Sequence, residues 1–257
     1  MYYKTMIEDE VFTFLNANQH FKDNTRLLYG TQLKIFFEWA ISEGYEPSTI
    51  NGNVVYEYFT NHNYSNSSRC LISTILRSYY RYKYGSEHPI SQLKTKRAEV
   101  APQRTLSEKE LTKFMACIDT STVLGIRDLA IITLMADTGL RVSEMTHLEV
   151  KHLNLDEMRL NCRVKGGRWT ERVFFDYTAS CLRAWNHVRE RYDTTEIPYV
   201  FFSVSRRKSI KPLSRTSVAC RFEIYSRRCN IENVTPHSLR RTFATLAIEN
   251  GAPTRLV

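Results

Sequence analysis

The chain has 257 residues, enough for two domains with a core each, and carries 36 lysines and arginines against 27 acidic residues, a formal charge of +9. No apolar run is long enough to span a bilayer, and the start, MYYKTMIEDEVF, has no signal-peptide pattern, so the sequence predicts a cytoplasmic protein with no membrane partner. Six cysteines without a CxxC pair or metal-ligand spacing argue against a disulfide scaffold or a zinc module and read as reduced, mostly buried thiols.

In chain order, Ile7, Val11, Phe14 and Leu15 mark a short amphipathic helix. From 24 to 43, Tyr29, Leu33, Phe36, Phe37, Ala40 and Ile41 recur at helical spacing, with Asn24 as N-cap and Gly44 as terminator. A weaker helix lies around Val54 to Phe59. Another starts at Ser67 or Ser68 and carries Leu71, Ile72, Ile75, Leu76, Tyr79 and Tyr80. Together these predict a helical bundle over residues 1–93. On its last helix Arg69, Ser73, Arg77 and Tyr80 share one sector, a face that suits backbone phosphates and solvent equally. Residues 94–105 lose the periodicity and hold Lys94, Lys96, Arg97 and Arg104, the composition of an extended basic linker able to track a groove.

Ser107 and Glu110 form a capping-box pattern that opens a second domain, residues 106–257. An apolar helix over Ile126 to Asp137 is ended by Gly139, and a further helix runs from about Leu140 to Leu148. RLNCRV and RVFFD around KGGRWTE predict a β-hairpin. Helices follow at about 178–192 and, from a Ser214 cap, 215–228. The last starts at Thr235, with Pro236 in first position, and stops at Gly251. The fold class expected is mainly α with a small antiparallel sheet.

The positive charge is concentrated. Residues 201–257 hold eleven lysines and arginines against three glutamates, a local excess of eight, which suits a polyanion. On the last helix His237, Arg240, Arg241, Ala244 and Ile248 fall on one side, and Leu239, Phe243 and Leu246 on the other. A helix N-terminus adds partial positive charge to that cationic side. Arg141 follows the glycine break, with Glu144 three residues on to orient its guanidinium, and Lys165 sits where strand gives way to turn. Each fragment alone is equally the pattern of a surface ion pair, a hairpin-tip lysine or a solvated helix face. Arg206, Arg207 and Lys208 form a basic run that suits a wet loop or added phosphate contacts.

Taken together, RDLAIITLMADTGLRVSE, the lysine hairpin VKGGRWTERV and TPHSLRRTFAT stand in the order they have in the tyrosine recombinase (phage integrase) family. From about Leu106 onward the chain resembles that family's catalytic domain, and residues 1–97 resemble its helical, SAM-like core-binding domain. The resemblance implies two domains clamping duplex DNA, and strand exchange through a 3′-phosphotyrosyl intermediate without metal or cofactor. It further implies Arg141, Lys165, His237 and Arg240 around the scissile phosphate, where the spacing lets Glu144 orient Arg141, and a homotetramer on DNA for the complete enzyme, this chain itself being compatible with a monomer.

The chemistry fits those residue types. Two guanidiniums suit the non-bridging oxygens of a five-coordinate phosphorus. A lysine in an electropositive site suits protonation of the leaving 5′-oxygen, and His237 is expected to be neutral there. The family also uses a histidine or tryptophan in an LGH-like motif and a tyrosine nucleophile, both beyond the HxxR helix. No tyrosine follows Tyr225 here, so the chain as given is expected not to cleave. The expectation is a C-terminally incomplete recombinase, the alternative a non-catalytic DNA-binding remnant acting as a repressor or architectural protein. The short GAPTRLV ending, too brief for a helical turn to complete, favours the first.

Overall fold

The computed structural model describes residues 2–95, 104–164, 166–192, 194–204 and 210–253. The chain forms two compact units, Met1–Ala101 and Pro102–Val257. It is mainly helical, with two small antiparallel sheets. Among the described residues no helix is long and apolar enough to cross a membrane.

The first unit contains helices α1 (Tyr2–Ala17), α2 (Asp23–Ser42), α3 (Gly52–Asn61) and α4 (Asn66–Tyr84). Their inward stripes meet in an aromatic core that includes Phe14, Phe36, Phe37, Tyr58, Tyr79 and Tyr80. Edge-on ring pairs organise it, with Phe36 and Tyr58 at 5.0 Å and 90° and Phe14 and Tyr79 at 5.5 Å and 79°. Each such pair contributes about 0.5–1.5 kcal/mol beyond the area it buries. Glu10 ties α1 to α4 by accepting from the Tyr79 hydroxyl at 2.9 Å and Lys83 Nζ at 2.7 Å.

Three expectations for this unit need correcting. Asn24 lies inside α2 rather than capping it, because the helix begins at Asp23, which places a carboxylate in its first turn. Helix α4 is capped by Ser65, whose hydroxyl accepts from the Ser68 amide at 3.3 Å, two or three residues before the expected start. Ser73 and Tyr80 do not face outward with Arg69 and Arg77: both are fully buried. They belong to the stripe of Ile72, Ile75, Leu76 and Tyr79, and the Tyr80 hydroxyl is satisfied inside by the Pro47 carbonyl at 2.8 Å.

In the second unit come α5 (Glu108–Ala116), α6 (Val123–Thr138), α7 (Val142–Thr146), β1 (Leu153–Asn154), β2 (Arg159–Arg163), β3 (Trp169–Val173), α8 (Asp176–Arg189), β4 (Phe202–Val204), β5 (Ile210–Pro212), α9 (Arg215–Cys229) and α10 (Pro236–Glu249). Helix α6 is the hub. It buries Ala130, Ile131, Ile132, Leu134 and Met135, and packs on α8 and α10. The expected capping box closes as read, Ser107 Oγ accepting from the Glu110 amide while Glu110 accepts from the Ser107 amide. Ser214 caps α9 and Thr235 caps α10.

The hairpin is β2 against β3, with β1 added on the far side of β2. Strand β3 begins at Trp169, so the expected turn KGGRWTE is too long: Thr170 and Glu171 already pair with Cys162 and Asn161. The separate β4–β5 ribbon was not expected.

A charged network at the base of α6 fixes it to α9. Asp128, itself buried, accepts from Arg127 Nε and Nη2 at 2.9 and 2.7 Å, from Arg221 Nε at 2.5 Å and from the Tyr225 hydroxyl at 2.8 Å. Arg127 also reaches the Phe202 carbonyl at 3.1 Å, which ties in β4. Buried charge is stabilised only when paired in this way.

Candidate phosphate-binding site

The residues that converge start from the break at Gly139. Gly139 ends α6 in the left-handed conformation, φ 60°, and a Cβ there would lie 2.3 Å from the Phe243 ring of α10. Glycine is therefore needed twice, for the backbone angle and for the close approach of α10. The turn that follows delivers Arg141 to the first position before α7.

Arginine has no acceptor with which to cap a helix, and Glu144 supplies one. Its Oε2 accepts from the Arg141 amide at 2.9 Å and its Oε1 from Arg141 Nη1 at 2.7 Å. The Glu144 side chain is only 7% exposed while that of Arg141 is 44% exposed, so the carboxylate is the fixed partner and the guanidinium reaches into solvent.

Helix α10 brings the second arginine. Thr235 Oγ1 accepts from the Ser238 amide at 3.0 Å, and Ser238 Oγ accepts from the Thr235 amide at 2.8 Å, a reciprocal cap that orients the first turn. Ser238, Leu239 and Thr242 form the buried side, with Thr242 Oγ1 accepting from the Leu106 amide at 2.8 Å. The inward face is thus more polar than the expected Leu239, Phe243 and Leu246, and its hydroxyls are satisfied. From this seat Arg240 donates to the Gly139 carbonyl through Nη1, which also lies 3.9 Å from Glu144 Oε2. Arg141 and Arg240, 99 positions apart in sequence, share one carboxylate.

His237, one turn earlier on α10, is exposed and lies in the field of Arg241, Arg240 and Arg141. Partial burial first, then those three charges, holds its pKa below the ordinary imidazole value, which leaves the ring neutral near pH 7. Arg240 is pushed below its ordinary value by burial first and then by Arg141, with Glu144 opposing.

Of the other expected residues, Lys165 lies outside the described residues. Of the described residues beside it, Val164 N donates to the Arg168 carbonyl at 2.8 Å, Gly166 and Gly167 adopt φ of 101° and 86°, and Arg163 Nε donates to the Gly167 carbonyl at 3.2 Å. Lys96, Arg97, Arg206, Arg207 and Lys208 also lie outside the described residues. Lys94 is exposed. Arg69 and Arg77 are half-buried and engaged within their own unit, Arg69 Nε with the Tyr64 carbonyl at 2.8 Å and Arg77 Nη1 with the Leu93 carbonyl at 3.2 Å.

Two features escaped the sequence reading. Arg172, on β3, adds a third positive charge beside Arg240. Tyr225 is 1% exposed, and burial, followed by the Asp128 charge, pushes its hydroxyl up to about 12, so it is a structural group of the Asp128 network.

The phage integrase family profile matches residues 104–257, and over 99% of its length the chain is 30% identical to the tyrosine recombinase XerA of Pyrococcus furiosus, 84% of which is covered. The chain belongs to the phage integrase family of tyrosine recombinases. Two solved integrase structures share its fold. The Tn1549 transposon integrase in complex with circular intermediate DNA aligns with a TM-score of 0.75 at 14% identity, over 97% of this chain and 89% of that one. A lambda integrase tetramer bound to a Holliday junction aligns at 0.69 and 18% identity, over 96% and 74%.

Proposed function

We propose that these 257 residues are the DNA-binding core of a site-specific recombinase, with Arg141 and Arg240 holding the non-bridging oxygens of a scissile phosphate in duplex DNA. The observation that carries this reading is the shared Glu144: it fixes one guanidinium directly and sits 3.9 Å from the other, so two cations face one region with a single carboxylate between them. In the attack step the phosphorane gains a second negative charge, and positioned donors of this kind each contribute roughly 100- to 1,000-fold in rate. His237, neutral in the free protein, donates a hydrogen bond to the phosphate or carries a proton. Lys165 protonates the leaving 5′-oxygen as the bond to phosphorus breaks. The bond that forms joins phosphorus to a tyrosine oxygen.

That tyrosine is not among these residues. Tyr177, Tyr192, Tyr199 and Tyr225 are the tyrosines of residues 104–257, and all precede His237. Tyr225 is committed to Asp128. The chain therefore binds DNA without attaching to it. On DNA we infer a homotetramer, an assembly of the type seen for lambda integrase on a Holliday junction.

The test is fluorescence anisotropy on duplex DNA between 50 and 200 mM salt, followed by denaturing electrophoresis of the protein on a nicked suicide duplex. Affinity is expected to fall by roughly a thousandfold across that salt range, with no covalent adduct. Salt-insensitive binding, or recovery of an adduct, would contradict the reading.

A further inference from the structure

Arg77 and Arg81 lie one turn apart on α4, and both are tied to the chain around the short 3-10 turn Pro89–Gln92. Arg77 Nη1 donates to the Leu93 carbonyl at 3.2 Å and Nη2 to Thr74 Oγ1 at 3.0 Å, while Arg81 Nη2 donates to the Ser91 carbonyl at 3.4 Å. Two guanidiniums are thus brought to carbonyls two residues apart, and Lys94 follows directly in the chain. Like charges four apart on a helix repel, so this convergence costs stability until an anion joins it.

The turn that gathers them is itself braced. His88 Nδ1 accepts from the Ile90 amide at 3.2 Å, Ser91 Oγ donates to the Gly85 carbonyl at 2.8 Å, and Ile90 is buried in the aromatic core. The guanidiniums therefore hold their positions before any ligand arrives, which lowers the ordering cost of binding.

Between α4 and the turn lies a recess of about 690 Å³, a size that takes a small molecule. Arg77, Arg81 and Lys94 line it with neutral groups that include Thr74, Ser78 and Gln92, and no carboxylate is among its described lining residues. Each guanidinium keeps further N–H donors beyond those given to protein oxygens. Several cations beside neutral donors, with no acid to answer them, are the chemistry of a phosphate site. Both arginines are drawn back onto their own unit rather than projected from α4, so the recess suits a terminal phosphate entering end-on better than the diester of a duplex backbone, which meets projecting side chains. A terminal phosphate also carries about two negative charges near neutral pH, against one for a diester.

We propose that Arg77, Arg81 and Lys94 form a preformed pocket for the terminal phosphate of a small molecule, a second anion site on the first unit that is distinct from Arg141 and Arg240 on the second.

The experiment titrates pyrophosphate into the intact chain and follows the backbone amide signals of Thr74, Ser78, Ser91 and Gln92 by NMR. These amides should shift together and saturate, and Arg81→Gln should weaken the binding by about tenfold, the scale of one charged hydrogen bond. Short duplex DNA separates the two sources of phosphate. With the duplex bound, the same shifts should still appear on adding pyrophosphate, and duplex affinity by fluorescence anisotropy should be the same in Arg81→Gln as in wild type. Absence of the shifts, or equal pyrophosphate affinity in wild type and Arg81→Gln, would overturn the pocket. Displacement of pyrophosphate by the duplex, or weaker duplex binding in Arg81→Gln, would assign the recess to the DNA backbone and overturn the proposal as well. The wild-type titrations, alone and with duplex, decide the matter even if Arg81→Gln does not fold.

Discussion

Glu144 accepts hydrogen bonds from both the backbone nitrogen and the guanidinium of Arg141, at 2.9 and 2.7 Å. One carboxylate thus starts α7 and aims the side chain that precedes it. Glu144→Ala should lower stability by about 1 kcal/mol through loss of the helix-start acceptor. Glu144→Gln, which keeps an oxygen for the Arg141 amide, should lose less. Urea midpoints at unchanged m-value measure the difference; equal losses would show that the acceptor is not what matters.

Gly139→Ala introduces a side chain at φ 60° and against the Phe243 ring. The left-handed backbone and the overpacking together should cost about 3 kcal/mol. Pairing it with Phe243→Leu should recover part of that loss, because only the packing component is relieved. A thermal melt of the single and double variants distinguishes the two contributions.

Asp128→Asn leaves Arg127 and Arg221 facing a neutral amide in a buried setting and should destabilise by about 3–5 kcal/mol. Tyr225→Phe removes one of the hydrogen bonds to Asp128 and should cost about 2 kcal/mol. DNA affinity measured well below the melting temperature should be unchanged in Tyr225→Phe, since its hydroxyl serves the fold.

The elements set by local chemistry were legible in the sequence. Ser107 with Glu110, Ser214, Thr235 with Pro236, and the glycines at 139 and 251 mark helix ends with groups only a few residues away, and each sits where expected. What depended on distant partners was not legible. Strands β1, β4 and β5 have two or three residues each, too few to show a period, and form only because a partner strand is already placed. Tyr80 looked available for an outward face until the Pro47 carbonyl supplied an inward partner for its hydroxyl. Within the candidate site, Arg141, Glu144 and Arg240 were readable from their motifs. Arg172 was hidden in a strand of alternating polarity, although its parity with Leu160 was available as a signal.

His237 offers a pH test with a defined sign. Burial and the charges of Arg241, Arg240 and Arg141 lower its pKa from 6.5 in the free protein. A phosphate beside the ring stabilises the imidazolium, so the pKa rises on binding and a proton is taken up. DNA affinity should therefore increase as pH falls, from the bound-state pKa down to the free-state value below 6.5. The same depression makes a contribution to folding stability that is present above pH 6.5 and is lost as pH falls through the folded value. Anisotropy at fixed salt between about pH 5 and 8 should show the affinity gain in wild type, and a flatter profile in His237→Gln.

The most direct measurement of the phosphate clamp is the slope of log affinity against log salt for duplex DNA, compared between wild type and the Arg141→Ala, Arg240→Ala double variant. In the proposed clamp both arginines hold one phosphate, so the double variant is expected to release about one fewer counterion and its slope to be shallower by about 0.9. Weaker binding with a shallower slope supports Arg141 and Arg240 as the groups that meet the phosphate. An unchanged slope and unchanged affinity, in a variant that is folded, would contradict it.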